Sequence, residues 1–119
     1  MGKRKPRPKI YKTAEYDTTV FVLSHPIHIF RAKEIAEQGN QGEFHIDKHE
    51  IYVLPEPPSS TSDADRMLHE ILHSMSHIGL EEKDRLNELQ VNTLSLTLID
   101  FMAKNPEFIK RIMEQIKGD

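Results

Sequence analysis

Pro55-Glu-Pro-Pro58, running on through Ser-Ser-Thr-Ser to Asp63, reads as a loop without regular structure. Proline offers no amide to a ladder and pushes the residue before it into extended geometry. The loop cuts the chain in two: β-branched and alternating runs precede it, and stretches with helical spacing follow it. That ordering describes an α+β architecture. With 119 residues and 13.8 kDa, the chain has material for one core and not for two.

The first twelve residues stand apart in charge, with Lys3, Arg4, Lys5, Arg7, Lys9 and Lys12 interrupted by Pro6 and Pro8. The composition predicts a flexible basic arm over 1–12 and one folded domain over 13–119. Such an arm attracts nucleic acid or an acidic partner by Coulomb forces. It reads equally well as a solubilising tail, because no base-stacking aromatics are interleaved with the charges. The whole chain, at a net charge of −3, implies no electrostatic partner. No apolar run of about 18 residues could span a bilayer, and the first residues lack a secretory pattern, so the expectation is a cytoplasmic protein without a membrane partner.

Between arm and loop, Thr18 to Ser24 reads as a buried strand. Ser24-His25-Pro26 resembles a helix start, and the spacing predicts a helix carrying Ile27, Phe30, Ile35 and Ala36 that ends near Gly39 and Gly42. Phe44 and Ile46 alternate with polar neighbours, Asp47-Lys48 suits a turn, and Ile51 to Leu54 are strand formers, which predicts a β-hairpin.

After the loop, Ser62 or Asp63 can cap a helix whose apolar members are Leu68, Ile71, Leu72, Met75 and Ile78. This helix carries His69-Glu-Ile-Leu-His73. Positions four apart on a helix stand nearly above one another, about 6 Å along the axis, so the two imidazoles can converge on one ion. Glu70, rotated by about 100° from His69, cannot bind that ion but can reach a water it holds. A zinc ion with three protein ligands and an open position lowers the pKa of its water to roughly 7, and an adjacent carboxylate can then act as general base. The chain has no cysteine, so histidine and carboxylate must supply every ligand.

The third ligand has three candidates. His77 continues the spacing but stands about 12 Å from His69 along an unbroken helix, and it reads better as a residue of the last turn, favoured by the helix dipole. Glu81 and Glu82 follow Gly79, a helix stop, and already suit the first turn of the next helix. Glu88 is best placed. On a helix running from about Glu81 to Lys104 and folded back antiparallel, it comes level with His73, roughly 7–10 Å from the turn. Asn92, one turn further, can hydrogen-bond a ligating histidine or Glu88 itself.

His69 to His73, followed by Asn87-Glu-Leu-Gln-Val-Asn92, resembles the gluzincin zinc peptidases, whose second motif is Asn-Glu-x-x-Ser/Ala-Asp. Val91 and Asn92 depart from that motif, and the interval from His73 to Glu88 is short. Glu88 to Asn92 is also similar to the Glu-x-x-Ala-Asn element of the ImmA/IrrE group of small metallopeptidases, and the small single-domain minigluzincins match in size. The metzincin pattern fails at Ser76 and Gly79.

The resemblance, over roughly Phe44 to Lys104, implies a zincin-like fold: a small antiparallel sheet or hairpin packed on the motif helix, with two further C-terminal helices. It implies a zinc-dependent metalloendopeptidase with one Zn2+ on His69, His73 and Glu88, Glu70 as the catalytic base, and a peptide or protein substrate. The strand Ile51 to Leu54 would be the edge that pairs with an extended substrate. The alternative is a non-catalytic metal-binding regulatory or nucleic-acid-associated module that uses the basic arm.

The remaining positions read as framework. Leu86, Leu89, Leu94, Leu98, Phe101 and Met102 recur at helical spacing and should pack on the Leu72 and Met75 side. Asn105-Pro106 starts a last helix to about Lys117, carrying Phe108, Ile109, Ile112 and Ile116, which either completes the core or pairs with another subunit. His45, His49 and Tyr52 could stabilise an oxyanion, but each reads first as a surface strand residue. His25 and His28 read as structural.

Overall fold

A computed structural model describes residues 5–8 and 10–118; Lys3, Arg4 and Lys9 of the basic arm lie outside the described residues. Strands β1 (Glu15–Val22) and β2 (His25–Arg31) form an antiparallel hairpin with Val22 opposite His25. Leu23 makes the turn at φ 54°, in the left-handed region that branched side chains rarely enter.

Strand β2 replaces the helix expected after Pro26. Ile27 and Ile29 are β-branched and two apart, so they send both side chains to one face of a sheet, while Phe30 goes to the other. Pro26 is tolerated because pairing with the next strand begins only at His28. The helical part of this region shrinks to one turn, α1 (Glu34–Glu37), which ends at Gly39 with φ 78°.

Strands β3 (Gly42–His45) and β4 (Glu50–Val53) form the expected hairpin around a turn over Ile46–Lys48, closed by His49 in the left-handed region. The sheet is mixed rather than antiparallel, because β4 also pairs parallel to β2 and the strand order is β1-β2-β4-β3. That order overturns the expectation that Ile51 to Leu54 forms an edge: β4 is interior, and β3 is the edge strand on that side. The reason is in the residues, since Ile51, Tyr52 and Val53 are all buried and need cover on both faces.

One face of the sheet presents Val22, Ile27, Ile29, Ile51 and Val53 to α2 (Ser60–Gly79), whose Met67, Ile71 and Ile78 pack against them. Burying each of these side chains stabilises the fold by roughly 1.5–3 kcal/mol. The other face holds Phe30, Ala32, Ile35 and Tyr52 beneath Ile10, Tyr11 and Ala14. Ile10 and Tyr11 are therefore packed, although they fall inside the stretch expected as an arm.

Ser59, not Ser62 or Asp63, caps α2 by accepting from the Ser62 amide at 3.0 Å, so Ser60 to Asp63, expected to belong to the loop, form the first turn of the helix. Asp63 instead takes a two-pronged contact from the Arg31 guanidinium at 3.0 and 2.9 Å, which ties the end of β2 to the first turn of α2.

The next helix, α3 (Glu88–Lys104), begins later than Glu81. Asn87 and Gln90 cap each other's backbone amides at its start, and Leu80 to Asn87 is irregular apart from one tight turn over Glu82–Asp84. This connection is held to α2 by Ser76 Oγ, which accepts from the Leu86 amide at 2.8 Å, and by Arg85 on the His77 carbonyl at 3.3 Å.

The expected core of α3 is not the observed one. Val91 and Ser95 are its buried residues, whereas Leu89, Leu94, Leu98, Phe101 and Met102 are exposed, as is Met75 on α2. Ser95 is small enough for close approach to α2 and donates to Asp65 at 3.2 Å, which sets which stripe of α3 faces inward. Helix α4 (Pro106–Gly118) follows as expected and buries none of its residues. Among the described residues no helix is long and apolar enough to cross a membrane.

Candidate metal centre

Because Met67, Ile71 and Ile78 turn one side of α2 to the sheet, the rotation of the helix sends His69, Glu70 and His73 toward the space beside β3. His69 is 3% exposed and Glu70 is also buried, while His73 is partly open. Glu88 reaches them from the first residue of α3. Its position owes nothing to the helical turns that the sequence suggested between Glu81 and Glu88; it follows from the Asn87 cap and from the anchored connection before it.

The Glu88 carboxylate spans both imidazoles, with Oε1 2.6 Å from His69 Nε2 and Oε2 2.9 Å from His73 Nε2. The two Nε2 atoms are 3.2 Å apart. Zinc bonds of about 2.0–2.1 Å at tetrahedral angles put ligand atoms about 3.3 Å from one another, so the set fits one ion with little movement. Among the described residues this is the only group of histidine, aspartate and glutamate with metal-binding geometry. Two imidazoles and one carboxylate suit zinc and leave a fourth position open. Glu88 remains 71% exposed, so the open side faces solvent.

Burial opposes the charge on Glu88, but the neighbouring His69 and His73 prevail and hold its carboxyl below the usual range. The N-terminus of α3 adds a favourable field for an anion at this position. Glu70 behaves in the opposite way: burial pushes its carboxyl up, against the pull of His69, Arg66 and His73. Arg66, one turn before it, holds Glu70 Oε2 at 3.3 Å. Gly42 of β3 leaves room for this pair, since a Cβ there would stand 2.5 Å from the Arg66 stem and 2.9 Å from Glu70 Oε2.

The cleft has a volume of about 720 Å3 and runs along the outer side of β3. Besides the ligands, Arg66, Glu70, Gly42, Phe44, His45 and His77 line it. His77 lies beside Phe44 with ring centroids 5.8 Å apart, outside the ligand group. Its Nδ1 is buried without a partner, and burial, Arg85 and His73 all lower its pKa. Glu81 and Glu82 are exposed on the connection and do not join the ligands.

Asn92 does not supply the support expected of it. It is exposed, its carbonyl accepts from Ser95, and the buried His69 Nδ1 has no hydrogen-bond partner. Tyr52 also departs from expectation: its ring is fully buried and its hydroxyl donates to the equally buried Glu50 at 2.6 Å. His45 is partly buried rather than a free surface residue, packed edge-on against Tyr52 and 2.9 Å from Glu43. His49 meets His25 edge to face, and His28 Nδ1 lies 2.9 Å from the Thr19 hydroxyl, so neither His25 nor His28 approaches the cleft lining.

Two cleft residues carried a signal that the sequence reading passed over. Arg66 stands four before Glu70, the spacing of a helical ion pair, and Gly42, expected as part of a cap or turn near a helix end, begins an edge strand. Compared with known protein families, with curated proteins and with solved structures, the chain matches none.

Proposed function

We propose that the protein is a zinc-dependent peptidase of gluzincin type, small in the manner of the minigluzincins and the ImmA/IrrE group. The observation that carries this reading is the convergence of His69, His73 and Glu88 within one ion's reach, beside a buried Glu70, in a cleft bordered by an edge strand. His69, His73 and Glu88 hold the ion. When bound, zinc polarises the substrate carbonyl and makes its water acidic enough to ionise near neutral pH.

The chain's own groups do the rest. Glu70 takes a proton from the attacking water and delivers it to the leaving amine, a task that a carboxyl pushed above its ordinary value by burial performs better than an ordinary one. Arg66 fixes the orientation of that carboxylate. The outer edge of β3 offers backbone donors and acceptors to an extended peptide, which would lie across the ligands as an added strand. Edge-strand binding thus passes from Ile51–Leu54 to Gly42–His45.

The test is zinc content and cleavage of unfolded protein substrates, measured beside Glu70→Gln. The expected result is about one zinc per chain in both proteins and hydrolysis by the natural one only. Zinc in both with no hydrolysis by either would favour a non-catalytic metal-binding module.

A further inference from the structure

Helices α3 and α4 carry more apolar surface than a lone chain of this size has reason to show. Leu94, Leu98 and Phe101 lie on one side of α3, and Phe108, Met113 and Ile116 on one side of α4. Phe101 and Phe108 meet edge to face at 6.0 Å, so the two apolar faces join across the bend at Asn105. Met113 is 50% and Ile116 64% exposed. Taken at ~200 Å2 for a large apolar side chain, the six residues offer on the order of 500 Å2 to solvent. A patch of this size is among the largest a single chain shows, and patches of that size often serve a function.

We propose that this surface is the interface of a homodimer, with the α3–α4 arm of one chain packed on that of a second copy about a two-fold axis. The area fits that occupant. A standard interface hides ~800 Å2 on each partner, and in homodimers about 65% of it is apolar, which is again on the order of 500 Å2.

The chemistry of α4 fits as well. Phe108, Ile109, Ile112, Met113 and Ile116 form an unbroken stripe with no charge in it, and every charged residue of the helix lies outside that stripe. The polar side mixes Glu107 and Glu114 with Lys110, Arg111 and Lys117, so it lacks the strong positive excess of a helix that lies on anionic lipid.

Laid antiparallel about Ile112, Phe108 comes level with Ile116 of the second copy, so the two apolar stripes meet in register. The antiparallel sense is one that a two-fold axis generates, and it opposes the two helix dipoles favourably.

Sedimentation equilibrium of the full chain tests the proposal. The expected mass is twice 13.8 kDa at micromolar concentration. Ile116→Glu and Met113→Glu change residues already open in the single chain, so both should fold with unchanged circular dichroism. Each should raise the dimer dissociation constant about 30-fold or more. The chain has no cysteine, so Ile112→Cys gives a single thiol near the axis. It should oxidise to a linked dimer, whereas Glu107→Cys on the far side should not.

A monomer at 100 µM overturns the proposal. So does a dimer that survives both glutamate variants but dissociates when Phe21 and Leu23 of the β1–β2 turn become serine. Binding of a monomeric chain to phosphatidylglycerol vesicles, lost in Ile116→Glu, would assign the patch to a membrane and overturn it equally.

Discussion

The backbone of Gly42 lies against Glu70 so closely that a methyl group on it would stand 2.9 Å from the carboxylate oxygen. The same methyl would meet the Arg66 stem at 2.5 Å, a separation that forces one of the two side chains to move. Gly42→Ala should therefore displace the Arg66–Glu70 pair while leaving His69, His73 and Glu88 in place. Expected are near-native zinc affinity, a stability loss of about 1–2 kcal/mol from overpacking, and, under the function proposed above, peptide hydrolysis reduced ~10–100-fold by misplacement of Glu70. Zinc titration, urea denaturation and peptide hydrolysis measured on one preparation check all three.

Glu88 binds both histidines from a helix that contributes nothing else to the ligand set. Glu88→Gln keeps its size and removes its charge. Zinc affinity should fall by at least about 100-fold, more than the loss usual for a residue that only supports a ligand. Competition against a chelator of known affinity gives the number, and an unchanged affinity would remove Glu88 from the site.

The Asn87–Gln90 cap determines where Glu88 stands. Asn87→Ala should cost about 1 kcal/mol of stability through the lost cap. It should also weaken zinc binding, though less than Glu88→Gln does. If chelator competition shows native affinity in a protein destabilised by the expected amount, Glu88 is positioned by something other than its cap.

Glu43 accepts from Tyr11 at 2.6 Å and from Asn40 at 2.8 Å, and His45 Nε2 lies 2.9 Å from it. Burial pushes its carboxyl up, but these partners together hold it below its ordinary value of 4.5. A carboxyl depressed in the folded state stabilises the fold fully above the unfolded value, and the contribution drains away as pH falls through the lower folded value. Glu43→Gln should thus be less stable than the natural protein by about 1–2 kcal/mol near neutral pH. Urea midpoints should converge as the medium is acidified below 4.5. A gap that stays constant with pH would assign the effect to packing instead. The same network raises the Tyr11 phenol to about 12, chiefly by burial and then by Glu43.

The C-terminal half of the fold was more legible than the N-terminal half. Three helices followed from apolar spacing, from Pro106 and from Gly79, and the His69–His73 pair followed from helical geometry alone. Glu88 stands level with the histidines although α3 starts seven residues later than the expected Glu81. The Asn87-x-x-Gln90 pattern was the local signal for the true start, and its competition with the acidic run at Glu81 decided against a longer helix.

His25 to Arg31 misled because a serine before a histidine and a proline resembles a cap, whereas the alternation of Ile27 and Ile29 fits a strand. No local pattern could show that β4 pairs with β2 as well as β3; that depends on which faces need cover once the chain collapses. The solvent-facing leucines of α3 have the same origin. Periodicity identifies an apolar stripe but not what fills the space opposite it.

The three residues able to hold an ion come from two separately anchored pieces of chain, two from α2 and one from the start of α3. An ion held there would act as a clasp that closes the loop from His73 to Glu88, in the way a cross-link removes freedom from an unfolded chain. Release of that clasp should free the arm formed by α3 and α4 before it disturbs the sheet, whose two apolar faces are sealed without it. Metal occupancy would then govern how firmly the arm is presented, and amide exchange along α3 would report the state of a centre that lies at its first residue.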